Sequence, residues 1–323
     1  MSDQAALWAW FLFESGLSAQ RAKHLLLRWQ REGHALPDVL ARLPAGADAL
    51  GLTREEAAAL RPPASLPEVN ALPWDDAFYP AELQTLPAKL RPALLFFAGP
   101  EHLLMYPLLY LAPGTPDEAA RELLREVVGM LLGEVLPIAF RGSVEATVLL
   151  EEMESSAGAA LFVARQGLKG IAWTPQERAL LAEERLLVVT PLPPTAPVNP
   201  AWDAYMYQVA QGMARRCIAT DLAALSETGA PPTLLLTPSA PQDALPDHVT
   251  LARTPADALV WLGDYHPAPA DYPTPRASHT PDADALLIRD APLAPPPTPE
   301  ETLRVLEGGG RVPDALRKRL AGE

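Results

Sequence analysis

Cysteine is almost missing from this chain. Cys217 is the only one in 323 residues, which excludes an internal disulfide and a thiolate zinc cage. It sits in an apolar run, where a lone cysteine ordinarily behaves as a small core residue. No apolar run reaches the ~18 residues that a bilayer span requires, so no membrane contact is expected. No basic cluster precedes the first apolar residues, so a signal peptide is not expected and a cytoplasmic address is. Positive charge is also short: 26 Lys and Arg stand against 40 Asp and Glu, a net charge of −14. The deficit is uneven. Residues 1–66 carry seven basic and seven acidic side chains, and residues 266–323 carry seven and nine. The stretch between them holds 12 basic against 24 acidic residues. A domain-wide positive field for nucleic acid is therefore excluded; any such contact must be a local patch working against the average potential. The usual nucleotide and hydrolase fingerprints are absent: no G-x-G-x-x-G, no Walker loop, no G-x-S-x-G elbow. The histidines (24, 34, 102, 248, 266 and 279) show no metal-ligand spacing. Glu151-Glu152 and Glu183-Glu184 are adjacent pairs that diverge on a helix and read as surface. No catalytic residue, metal or cofactor is expected, and the chain does not read as an enzyme.

What is present is hydrophobic residue, at 49% of the sequence, enough for one large core and smaller modules. The organising stretch runs from about 92 to 222. Apolar runs at Ala93–Gly99, Leu108–Ala112, Leu136–Phe140, Ala159–Val163, Leu186–Val189, Cys217–Ala219 and Thr233–Leu236 alternate with amphipathic segments. Helices are predicted from Asp117 to about Gly133 and after Ser143 to about Glu154. Short apolar runs alternating with longer helices mean βαβ units around a parallel sheet, an α/β fold. Ligands of such sheets sit beyond the carboxyl ends of the strands. The turns after Ala112, Phe140, Val163 and Val189 are where function is expected.

Residues 3–61 read as a small all-helical module. Leu7, Trp8, Phe11 and Leu12 share a helical face, and Ser18 is a good N-cap for a helix through Arg31. Further helices are expected at Leu36–Leu43 and Thr53–Leu60. Gly16–Ala22 is similar to the hairpin of a helix–hairpin–helix (HhH) or SAM-like unit, whose amides can meet a phosphate; simple helix packing is the competing reading. Pro62, Pro63 and Pro67 mark a boundary. At the other end, residues 266–300 contain ten prolines, the composition of a semi-extended arm. Two short helices follow, Glu300–Glu307 and Pro313–Leu320, the second carrying Arg317-Lys318-Arg319. The expected division is 1–66 helical, 67–265 sheet domain and 266–323 linker and tail.

Residues 74–104 are the most specific stretch. Trp74–Gln84, with Tyr79-Pro80, leads into Pro92-Ala93-Leu94-Leu95-Phe96-Phe97-Ala98-Gly99 and Leu103-Leu104. This resembles the entry to the DNA-processing protein A family (DprA, or Smf). Phe140-Arg141-Gly142 resembles the family's Ala-Arg-Gly turn. Thr174–Leu180 resembles its Pro-Pro-Glu-Asn-Arg-Ala-Leu segment, Pro191–Pro197 its proline-rich loop, and Leu235–Ser239 its late strand and turn. The series covers about residues 74–262 in order. The resemblance implies an extended Rossmann-like fold with a mostly parallel sheet, preceded by a SAM/HhH-like helical domain. It also implies a homodimer, single-stranded DNA as ligand, and a RecA-type recombinase as partner in natural transformation.

Departures from that pattern bear on the site. Where the family has Gly-Ser-Arg after the second strand, this chain has Ala112-Pro113-Gly114-Thr115-Pro116. The two prolines lack N–H donors and no cation is present. Gly114 and Thr115 are candidates for a small anion nest, with a plain turn as the alternative. Arg141-Gly142 survives, and Arg141 is a candidate phosphate contact, set against a structural ion pair with Glu145 or a neighbour. The family's basic run corresponds to about Ala204–Tyr207. There Tyr205 and Tyr207, with Trp202, are candidates for base stacking, worth about 1–3 kcal/mol per base, against a core or dimer role. Lys169, Arg178, Arg215 and Arg216 complete the basic candidates. The expectation is a DNA-handling scaffold whose phosphate grip is degenerate. The alternatives are a protein-interaction module that has lost DNA binding and, last, a small-ligand enzyme with its ligand beside Gly114 and Arg141.

Overall fold

The computed structural model describes residues 3–47, 50–60, 70–221, 231–237 and 245–263. The expected boundary prolines 62, 63 and 67, the turn at 238–239, the proline arm at 266–300, the two tail helices and the basic triplet at 317–319 lie outside the described residues.

The helical head comprises α1 (Asp3–Phe13), α2 (Ala19–Arg31), α3 (Leu36–Gly46) and α4 (Arg54–Ala59). Their starts follow from local chemistry. The Ser18 hydroxyl accepts the Arg21 N–H to open α2, and Thr53 with Glu56 forms a capping box at α4. Trp29 is buried and donates its indole N–H to the Leu50 carbonyl at 2.9 Å, tying α2 to the α3–α4 connection. Arg21 reaches across to Glu56 at 2.8 Å and to the Gly51 carbonyl at 2.7 Å.

The sheet strands are β1 (Ala71–Pro73), β2 (Leu94–Ala98), β3 (Leu108–Ala112), β4 (Leu136–Phe140), β5 (Ala160–Val163), β6 (Leu186–Thr190), β7 (Arg216–Ala219), β8 (Thr233–Leu236) and β9 (Val249–Ala252). Between them run α5 (Glu118–Leu131), α6 (Val144–Ser155), α7 (Pro175–Ala182) and α8 (Asp203–Gly212), and α9 (Pro255–Gly263) follows β9. Asp117, Ser143 and Thr174 cap α5, α6 and α7 with their side chains.

These strands form one nine-stranded sheet in the order β1-β2-β6-β5-β4-β3-β7-β8-β9. The pairs from β6 to β9 are parallel, whereas β2 is antiparallel to β6 and β1 to β2. The first apolar run is thus not part of the parallel array expected for it. It closes the sheet's β6 edge, with β1 as an unexpected outer strand. The fold is α/β and Rossmann-like, with a mostly parallel sheet behind a helical N-terminal part.

Both faces of the sheet are buried, and alternation along the strands sorts side chains between them. Tyr110, Ile138, Phe140, Leu161 and Leu187 join a core with the helical head and α8. Leu109, Leu111, Ala139, Phe162 and Val188 join a second core with α5, α6, α7 and α9. The head is part of the first core: Trp8 meets Trp74 edge-on at 5.4 Å, and Phe13 meets Phe96 at 5.9 Å. Tyr79 is buried and donates its hydroxyl proton to the Pro92 carbonyl at 2.7 Å. The Tyr-Pro segment is thereby fastened to the entry of β2.

From β3 the chain steps one way through β4, β5 and β6, then crosses back to β7 on the other side. The reversal between β3 and β7 places the sheet's topological switch point at their carboxyl ends, beside Ala112 and Ala219, where ligands of open α/β sheets sit.

Candidate functional site

Gly114 and Thr115 follow β3 at that switch point, and carboxylates from the same chain engage both. The Gly114 N–H donates to Glu145 Oε1 at 3.0 Å. The Thr115 hydroxyl bonds Asp221 Oδ2 at 3.1 Å. Glycine is required at 114 because the loop closes on the end of β7. A Cβ there would lie 2.9 Å from Thr220 Oγ1 and 3.1 Å from the Asp221 Cβ. Glu145, in the first turn of α6, is only 1% exposed. Burial pushes its carboxyl above the usual range, against the bonds from its own backbone, Ser143 and Gly114. Glu145 Oε2 and Thr220 Oγ1 are buried without a partner among the described residues. The amide of the candidate nest therefore already holds an anion, and that anion is internal.

The next turn holds Arg141 and Gly142. Gly142 has φ +83° and open space where a Cβ would stand. Its backbone, not packing, favours glycine. Arg141 forms a two-pronged ion pair with Glu177 on α7: Nε to Oε1 at 2.6 Å and a terminal nitrogen to Oε2 at 2.8 Å. The same nitrogen donates to the Ala172 carbonyl at 2.7 Å, and the guanidinium lies over the Trp173 ring. The ion-pair alternative is thus the one realised, with Glu177 as partner; Glu145 instead accepts from Gly114. Glu177 is 2% exposed and also accepts the Thr174 N–H at 2.8 Å. Burial alone would raise its carboxyl, but the Arg141 and Thr174 bonds outweigh it and hold it below the usual range. Arg178, the next residue on α7, is exposed.

The turn after β5 carries a cation that local sequence did not mark. The Arg165 guanidinium lies over Phe140 at 5.3 Å and over Tyr207 at 5.7 Å. It donates to the Tyr207 hydroxyl at 3.2 Å and approaches Asp203 at 3.6 Å. Tyr207 meets Phe140 edge-on at 4.8 Å. Tyr205 and Tyr207 are half-buried and pack against the first core. Burial raises the Tyr205 phenol well above its usual value. Both tyrosines lie inside α8 rather than ahead of a helix, as the basic-run correspondence would have placed them. Lys169 is exposed in a single helical turn after β5, its N–H bonded to the Pro194 carbonyl at 2.9 Å. Gly167 makes that approach possible. A Cβ at 167 would lie 2.2 Å from the Pro193 carbonyl oxygen and 2.3 Å from the Pro194 carbonyl.

Arg215 and Arg216 belong to the other end of the sheet. Arg216 begins β7, in register with Leu109 near the start of β3. It lies over the Trp261 ring at 4.8 Å and bonds the Trp261 carbonyl. Arg215 pairs with Glu82 at 2.8 Å. Both stand at the strand starts, away from the carboxyl edge, because β7 runs parallel to β3. Gly114, Thr115, Arg141, Gly142 and Lys169 are brought to the carboxyl edge with Tyr207; these two arginines are not.

Among the described residues no group of three or more His, Cys, Asp or Glu side chains could hold a metal ion. No described helix is long and apolar enough to cross a membrane.

No family model and no curated protein matches the chain. Solved structures do. The chain is similar to the X-ray structure of DNA processing protein A (DprA) from Streptococcus pneumoniae, at 15% identity and a TM-score of 0.56. The match covers 79% of this chain and 97% of that one. It is also similar to DNA processing protein A from Helicobacter pylori, a protein described by its single-stranded DNA binding mode. There the identity is 13% and the TM-score 0.40, over 55% of this chain and 86% of that one. The first likeness concerns the fold; at 0.40 the second supports no inference.

Proposed function

We propose that this chain is a divergent DprA-family protein. On this reading it binds single-stranded DNA weakly and passes it to a RecA-type recombinase during DNA uptake and recombination, without catalysing a reaction. The observation that carries the proposal is a fold likeness that takes in 97% of the S. pneumoniae DprA chain. It is joined by the ordered sequence motifs at 74–104, 140–142, 174–180 and 191–197. The contacting edge on this reading is the row of carboxyl tips bearing Thr115, Gly142, Lys169 and Tyr207, with Arg178 on α7 beside it; Gly114 and Arg141 hold its turns in shape through Glu145 and Glu177. We also keep the division into a head (1–66), a sheet domain (67–265) and a tail (266–323). A homodimer is proposed through α9, where Leu259 is 47% and Val260 77% exposed. Titration of a fluorescent oligothymidylate by anisotropy at low salt tests the central claim. Saturable, salt-sensitive binding is the expected result, and no binding at low salt removes the DNA half of the proposal.

A second reading is favoured by one feature of the tips. The Gly114 amide and the Arg141 fork are both taken up by internal carboxylates. A scaffold that has lost DNA and serves as a protein-interaction module would look this way. Recombinase retained on the immobilised chain, together with a silent DNA titration, would favour it.

A further inference from the structure

We propose that Arg165 is a phosphate-binding residue of the carboxyl edge, pre-set to take one phosphodiester of a single strand. The inference rests on the DNA-binding reading above and names the cation that would carry it.

Three arginines that brace the fold are well satisfied. Arg141 makes three bonds of 2.6–2.8 Å. Arg185 donates to the carbonyls of Gly158, Met153 and Ser156. Arg21 takes two oxygens of Glu56 and the Gly51 carbonyl within 3.0 Å. Arg165 differs. Its Nε is buried with no acceptor among the described residues, a trait it shares with Arg121 on α5; Arg165 is the one of the two that lies over two aromatic rings at the tip of β5. Its two polar contacts are long: 3.2 Å to a phenol and 3.6 Å to a carboxylate. A buried guanidinium N–H without an acceptor is costly, and native structures rarely keep one without a ligand, a water or a function.

The rest of the surroundings hold the guanidinium in place without satisfying it. Phe140 and Tyr207 present ring faces to it, which fixes its plane but accepts no strong hydrogen bond. The side chain remains 34% exposed, so an incoming anion can reach it. Arg141 and Arg165 flank the same pair of strands, since the Arg141 N–H donates to the Val163 carbonyl. One is taken up by α7 on one face; the other is left over α8 on the opposite face. A cation from the turn after β5 thus stands beside Tyr207, in the stretch that the resemblance aligns with the family's basic run. Pre-ordering of a forked donor lowers the entropy lost when phosphate binds.

Asp203 is the competitor. At 3.6 Å it holds Arg165 loosely, and a phosphate must displace it. Removing its charge should therefore help binding, the opposite sign from removing the arginine.

The test compares the wild-type chain with Arg165→Ala, Arg165→Lys and Asp203→Asn by anisotropy on oligothymidylate across a salt series. Arg165→Ala should weaken binding about tenfold and flatten the log–log salt slope by about 0.7, the value for one phosphate contact on a single strand. Arg165→Lys should keep the slope and lose part of the affinity. Asp203→Asn should bind a few-fold tighter. If Arg165→Ala folds and keeps the wild-type slope, Arg165 is not a phosphate ligand, while the DNA-binding reading stands. If Arg165→Ala does not fold, an Asp203→Asn variant no tighter than wild type overturns the inference. If the wild-type chain itself fails to bind at low salt, both fall.

Discussion

Replacing Arg141 with alanine should destabilise the fold and leave any DNA affinity nearly unchanged. The reason is the state of its partner. Glu177 is 2% exposed and exchanges two hydrogen bonds with the guanidinium at 2.6 and 2.8 Å. Alanine would strand that carboxylate, with only the α7 cap bonds to Thr174 remaining. Removing one partner of a buried pair costs about 3–5 kcal/mol. Arg141 keeps 22% of its side chain exposed, so water can partly replace it, and roughly 2–4 kcal/mol is a fair expectation. At about 2–4 °C per kcal/mol for a chain of this class, the melting temperature should fall by roughly 5–10 °C. A double-mutant cycle with Glu177→Gln isolates the pair, because the amide keeps an oxygen for the cap: the double variant should recover part of the loss. The pH profile follows from the lowered carboxyl of Glu177. A depressed folded value contributes stability above the unfolded value of about 4.3. That contribution disappears as pH falls through the folded value. Arg141→Ala should therefore narrow its gap to wild type in acid. A variant that melts within a degree of wild type yet loses oligonucleotide binding would refute this reasoning and return Arg141 to the role of a phosphate ligand.

Three further outcomes can be checked. Glu145 has a raised carboxyl, so the folded state holds the proton longer than the unfolded chain, and stability falls as pH rises through that window. Glu145→Gln keeps an acceptor for Gly114, removes this loss, and should gain on wild type in urea titrations as pH rises; a pH-independent difference counts against it. Glu56 is held down to about 2, chiefly by its bonds from Arg21. Its contribution is therefore lost as pH drops from about 4.3 toward that value, and Glu56→Gln should flatten the acid-unfolding curve there. Burial pushes the Cys217 thiol up to about 12, so a thiol reagent at mildly alkaline pH should label the unfolded chain and spare the native one.

The strands β2 to β8 were legible as apolar runs, most clearly from β3 to β6. There apolar strands alternate with helices opened by Asp117, Ser143 and Thr174, and these signals are local. The direction of β2 was not legible. Leu94–Phe97 reads the same whether its neighbour runs with it or against it, and only pairing with β6 decides. β1 escaped notice because three residues carry no period. β9 escaped because four residues, one of them exposed and one fully buried, are too few to carry a period. At the tips, Arg141 and Gly114 could be picked out by their turns, but not their partners. Glu177 lies 36 residues from Arg141, and Glu145 lies 31 from Gly114. Arg165 stood in a turn already marked for function, but no motif surrounds it; its signal is the aromatic pair Phe140 and Tyr207, which only tertiary packing assembles. Arg215 and Arg216 were misplaced for a simpler reason. A basic pair beside a strand looks alike at either end, and the chain's direction put these at the start of β7.

The contact at Gly167 has a mechanical consequence. No side chain fits between that residue and the carbonyls of Pro193 and Pro194, and two backbone bonds, Gly167 to Ala196 and Lys169 to Pro194, stitch the segments together. The turn bearing Arg165 and Lys169 and the proline segment after β6 are therefore packed backbone to backbone, with no side chain between them. Shifting the prolines would strain the Lys169–Pro194 and Gly167–Ala196 bonds, so the placement of this edge depends on residues 193–196, a segment further along the chain.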